Sequence, residues 1–101
     1  MVRHIVWWTL PEEAHGHTAA EHIAHIKEVG MGLMGKIPGL LSIEISSDFV
    51  ITPTVDVHVI LTSTHTDAAA LKVYADHPEH VKLAEYIGKI RLSRQAIDYQ
   101  L

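Results

Sequence analysis

Tyr74, Asp76, His77 and His80 place a phenol, a carboxylate and two imidazoles within seven residues, and Pro78 gives them a definite geometry. Proline favours the first position of a helix and holds the residue before it in an extended conformation. A helix therefore restarts at Pro78, with His77 as its N-cap and His80 in its first turn. There the positive end of the helix dipole disfavours an imidazolium and keeps His80 available as a base near neutral pH. The competing reading is that His-Pro simply breaks a helix and leaves both imidazoles as surface polar groups.

At 101 residues, 48% apolar and 20% charged, the chain is expected to form one globular domain over residues 1–101, burying roughly two-thirds of its unfolded surface. Its formal charge of −4 gives no electrostatic footprint for nucleic acid. It has no cysteine, which excludes disulfides, thiol chemistry and thiolate metal sites. No signal-like segment precedes the first strand pattern and no apolar run is long enough for a membrane span, so a cytoplasmic location is expected.

Nine histidines are many for this length. His15, His17, His22 and His25 surround the start of the first helix; His4, His58, His77 and His80 are dispersed, with His65 left over. His22 and His25 have a spacing that can bind metal. No recognisable motif fixes a carboxylate beside them, so solvated surface imidazoles and no metal are expected.

Periodicity supplies the elements that must position these groups. Val2 to Leu10 reads as a strand, and Thr18 with Glu21 forms a capping-box pattern for a helix from about Ala19 to Lys36. Gly30, Gly32 and Gly35 in that helix imply either close packing on the sheet or room for a ligand. Leu40 to Ser47 and Thr54 to Ser63 are the second and third strands. A helix capped by Thr66 and running through Asp76 and another from Pro78 to about Ile90 form a broken helix, and Leu92 to Tyr99 is the last strand. This order is the split βαβ arrangement of an α+β ferredoxin-like domain, a four-stranded antiparallel sheet with helices on one face. The strands are apolar on both sides, with Trp7 and Trp8 on opposite faces, so a second copy is expected to cover the open face in a homodimer. Phe49 to Ile51 is expected to join that contact.

Arg3-His4-Ile5-Val6, Ile37-Pro38-Gly39, the stretch from Tyr74 to Val81 and Asp98-Tyr99 together resemble the stress-responsive A/B barrel (Dabb) family along essentially the whole chain. The resemblance implies a dimeric ferredoxin-like α+β barrel. It also points to a plant polyketide cyclase of the same architecture, in which a histidine of the His-Pro-x-His motif acts as base and a tyrosine assists. These match His80 and Tyr74, and the strand histidines of that pocket match His4 and His58. An aromatic pocket residue of the cyclase aligns near Gly30, where this chain departs.

The expected site is an apolar pocket with His80 and Tyr74 catalytic and His4, His58, His77 and Trp8 binding substrate, without a cofactor. His80 would abstract a proton alpha to a carbonyl of a β-keto metabolite while Tyr74 or His58 donates to the enolate. A non-enzymatic dimer carrying an apolar small molecule, and a cofactor-less monooxygenase of similar build, are the alternatives.

Overall fold

The computed structural model describes residues 1–101. β1 (Val2–Thr9) leads through a short hairpin, β2 (Glu13–Ala14) and β3 (His17–Thr18), into α1 (Ala19–Met31). β4 (Leu40–Ser46), β5 (Val59–His65), α2 (Ala68–Asp76), α3 (Pro78–Ile90) and β6 (Ser93–Gln100) follow. The four long strands form one antiparallel sheet in the order β4-β5-β1-β6, which makes β1 a central strand. This is the α+β ferredoxin-like arrangement expected from the periodicity.

Each element forms for a local reason. In the capping box of α1, the Glu21 amide donates to Thr18 Oγ1 at 3.2 Å and the Thr18 amide donates to Glu21 Oε1 at 2.9 Å. α1 stops at Met31, short of the expected Lys36, because Gly32 caps it and the following residues run in turns. Leu33 and Ile37 nevertheless stay buried. Gly30 is the one glycine of the three inside the helix: a Cβ there would lie 2.3 Å from Ile45 Cδ1, so close packing explains it.

Alternation in β1 buries Val2, His4, Val6 and Trp8 toward the helices. Val6 and Trp8 meet Leu61 and Val59 of β5, Ile43 of β4, Ile26 of α1, Tyr74 of α2 and Leu83, Ile87 and Ile90 of α3 in a single core. The opposite face carries Trp7 paired with Ile60, Ile5 paired with Ile97, and Tyr99. Ile97 and Tyr99 are exposed, and no helix covers this side.

The third long strand differs most from expectation. It runs Val59–His65, not Thr54 to Ser63, because strand pairing requires a neighbour: β1 contributes its last pair to β5 at Trp8 and Val59, and β4 ends opposite Ile60. Residues 48–58 have no strand to join, and Phe49, Val50 and Ile51 stand exposed there.

Gly39 ends the turn into β4 with φ +83, and a Cβ on it would lie 2.5 Å from Ala70 Cβ of α2. Gly35 has the same backbone sign, φ +82, with open space around it. Gly35→Ala should therefore lose only the left-handed backbone penalty of about 1–2 kcal/mol. Gly39→Ala should lose that plus about 1–3 kcal/mol of overpacking as α2 is pushed from the sheet. Urea unfolding midpoints of the two variants check the difference; equal losses would show that the Ala70 contact does not constrain the turn.

Candidate functional site

Pro78 has no amide hydrogen to offer Tyr74, so one helix cannot run through it. The chain breaks at His77, whose extended φ −67, ψ 133 serves as C-cap of α2 and N-cap of α3. The Tyr74 carbonyl accepts instead from the His77 amide at 3.2 Å. The Glu79 amide donates to His77 Nδ1 at 3.1 Å. The Ala75 carbonyl is then free, and His80 Nδ1 donates to it at 3.1 Å. A carbonyl only accepts, so Nδ1 carries the proton and Nε2 holds the lone pair.

His80 packs on Tyr74 with ring centroids 4.2 Å apart. His65 meets the same phenol at 4.8 Å, and His4 lies at 6.1 Å. His4 Nδ1 contacts Asp98 Oδ1 at 2.5 Å across the β1–β6 pair, which leaves Nε2 as its other ring nitrogen. His65 is fully buried and bonds Ser63 Oγ through Nε2 at 2.8 Å, with its Nδ1 unpartnered. The three imidazoles thus find their partners in Ala75, Asp98 and Ser63, and none of them is the Tyr74 hydroxyl.

Burial sets the charge states. It pushes the Tyr74 phenol up to about 12, so Tyr74 remains a donor at neutral pH. Burial also moves His80 below the ordinary imidazole range; the Ala75 carbonyl opposes this, while His4, Arg94 and His77 reinforce it. His65 moves down as well, again first through burial and then through His4, with Asp98 opposing and His80 adding.

His4, Tyr74 and His80, but not the buried His65, border a cavity of about 250 Å³ between the sheet and α3, whose lining also includes Trp8, Leu61, Arg91 and Arg94. An apolar wall with a few convergent polar groups is the usual form of a small-molecule site, and this volume is below the ~300–1,000 Å³ common for larger ligands.

The structure brings His80, Tyr74, His4 and Trp8 together, as expected, but not His58 or His77. His58 precedes β5, its Nδ1 accepts from the Leu10 amide at 2.8 Å, and it borders a different depression beside Phe49 and Ile23. His58 has the parity of Ile60, which pairs with Trp7 on the sheet face away from the helices. The His77 imidazole is taken up in capping α3 and lies outside the cavity. His65, not His58, is the β5 imidazole that meets Tyr74, from behind the cavity lining: it shares the parity of Val59, Leu61 and Ser63, a signal that appears once the strand is extended to residue 65. Asp98, Arg91 and Arg94 were also missed as site residues; only their strand register and helix position reveal them.

His15, His17, His22 and His25 line a second depression of about 530 Å³ with Tyr86 and Lys89. His22 is not a solvated imidazole: it is buried, with Nε2 on the Ala14 carbonyl at 2.7 Å and Nδ1 on the Tyr86 hydroxyl. No group of three or more histidine or carboxylate side chains in the structure is placed to hold a metal ion. No helix is long and apolar enough to cross a membrane.

The model of the Stress Responsive A/B Barrel Domain family matches residues 2–101, and the chain belongs to that family. No functionally curated protein matches it. A dimeric ferredoxin-like protein of unknown function from Bacteroides fragilis is 27% identical, with TM-score 0.81 over 99% of this chain and 95% of that one. A Dabb family protein with a ferredoxin-like fold from Mesorhizobium loti is 24% identical, with TM-score 0.75 over 99% and 95%. A hydroxynitrile lyase from Passiflora edulis is 16% identical, with TM-score 0.82 over 99% and 92%, a likeness of fold alone.

The lowered pKa values of His80 and His65 set the direction of a pH effect. The unfolded chain titrates these imidazoles near ~6.5 and binds more protons than the folded chain below that pH, so stability rises with pH. The contribution should be complete above ~pH 6.5 and be lost as pH falls through the folded-state values. Urea midpoints measured from neutral to mildly acidic pH should fall more steeply for the wild type than for His80→Gln; parallel curves would remove His80 from the effect.

Proposed function

We propose, on the premise of membership in the stress responsive A/B barrel family, that this chain forms a homodimer and uses the cavity beneath α3 to bind a small carbonyl metabolite. There His80 acts as a general base. The observation that carries the reading is the cavity itself, where an imidazole tautomer with a free Nε2 stands against a phenol that burial keeps protonated. A proton on the carbon beside a carbonyl would pass to His80 Nε2. Its bonding pair would move into an enolate whose oxygen accepts a hydrogen bond from Tyr74. With a second carbonyl in the same molecule, the enolate carbon attacks that carbonyl and forms a carbon–carbon bond, an aldol-type closure of a β-keto chain. His4, held by Asp98, is the second imidazole able to accept or return a proton.

The dimer reading rests on the open sheet face. Ile5, Trp7, Ile60, Ile97 and Tyr99 form an apolar surface that no helix covers, and the Bacteroides fragilis relative is described as dimeric. Two such faces packing across a two-fold axis would bury it.

With β-keto acids and β-diketones as substrates, His80→Ala should reduce turnover by about 10²–10⁴-fold. Unchanged turnover in the variant removes His80 from the mechanism. Thermal stabilisation of the wild type by these compounds without turnover identifies a carrier using the same cavity. Trp7→Glu should shift the protein from dimer to monomer in sedimentation experiments; a wild-type monomer at micromolar concentration overturns the dimer.

A further inference from the structure

α3 and its C-cap present one line of residues to the cavity: His80, Ala84 and Gly88 on the helix and Arg91 just past its end, at spacings of four, four and three. The two middle members are small, and a Cβ built on Gly88 would meet nothing within 4 Å. This wall is therefore a groove with an imidazole at one end and a guanidinium at the other, their Cα atoms about 16 Å apart along the helix. The side chain of Arg91 starts back toward His80, because Cα–Cβ bonds tilt toward a helix N-terminus. Arg94 joins it from β6, opposite Trp8 on the helix-facing side of the sheet.

Neither guanidinium has an anionic partner in the chain. The ion pairs join His4 to Asp98, His17 to Glu21, Lys72 to Asp76 and Lys82 to Glu79. Asp98 shares the face of Arg94 but lies four residues further along the strand, about 13 Å away, and is bonded to His4. The cavity lining contains no aspartate or glutamate, although the chain has 12 acidic residues against 8 basic ones. A cation at the end of α3 complements the helix dipole, which accounts for Arg91 alone; Arg94 stands on a strand and has no such role.

We propose that the ligand of this cavity is an organic acid: its carboxylate is held by Arg91 and Arg94, and its apolar chain or ring lies over Gly88 and Ala84 with the reactive carbon toward His80. This rests on the reading of the cavity as a ligand site and specifies what enters it. Guanidinium groups pair with carboxylates through two parallel N–H donors, which fixes orientation as well as charge. For a base such as His80, a fixed orientation decides which carbon loses its proton. Arg91 and Arg94 are then specificity-determining residues of the groove.

The test titrates octanoate and octanamide, which share a chain and differ in charge, into the wild-type protein, Arg91→Gln/Arg94→Gln and Gly88→Leu. Both arginines are exposed and Gly88 faces open space, so the variants are expected to fold. Wild type should bind octanoate about ten-fold tighter than octanamide, the arginine double variant should bind the two equally, and Gly88→Leu should weaken both. Equal binding of acid and amide by wild type overturns the carboxylate assignment and leaves the cavity reading standing. Binding to wild type that Gly88→Leu does not weaken, or no binding of either probe, overturns both.

Discussion

The missing amide hydrogen of Pro78 is the constraint from which the site follows. In an unbroken helix the Tyr74 carbonyl would wait for that hydrogen and the Ala75 carbonyl would accept from Glu79. With the break, Tyr74 is satisfied by the His77 amide, Glu79 by the His77 imidazole, and Ala75 by His80 Nδ1. The Tyr74 and Ala75 carbonyls and the Glu79 amide each find a new partner, and the last exchange fixes a tautomer. A backbone rule thereby decides which nitrogen of His80 keeps its lone pair, with no catalytic residue needed to orient it. The same break lets α3 leave the line of α2, so Tyr74 at the end of one helix and His80 at the start of the other stack on each other.

This much was legible in the sequence because it is local. The capping box at Thr18, the break at Pro78 and the alternation of β1 each depend on residues a few positions apart, and the element order that follows from them defines the ferredoxin-like fold. Register is different. Which residue faces His4 depends on strands separated by roughly sixty and ninety positions, and only pairing tells that Ser63 and Asp98 lie opposite it. Extending the third strand backward into Thr54 to His58, in place of forward to His65, followed from reading Val55 and Val57 as part of the alternation. In the structure β5 begins at Val59, where its pairing with β1 starts, and β4 reaches only to Ile60. That one shift puts His65, not His58, against Tyr74. His77 was misread for another reason: an imidazole is rarely expected as a helix cap, where Ser, Thr, Asp and Asn lead. His22 was likewise taken for a surface group because its two partners, Ala14 and Tyr86, come from segments that meet only in the fold.

The cavity's chemistry comes from a single physical cause acting on two kinds of group. Desolvation disfavours charge, so it lowers an imidazole and raises a phenol. At neutral pH it therefore produces a neutral base and a neutral donor side by side, the pairing that proton abstraction with enolate stabilisation requires. The neighbours act in the same sense: a proton on His4 or His77, or the fixed charge of Arg94, makes a second positive charge on His80 harder to hold. Burial, reinforced by the neighbouring positive groups, keeps His80 available to receive a proton. Asp98 is kept at the rim on His4 and absent from the cavity lining, so no carboxylate there reverses the effect on His80. The register of β6 places that acidic side chain opposite His4, and no carboxylate counters the effect of burial on His80.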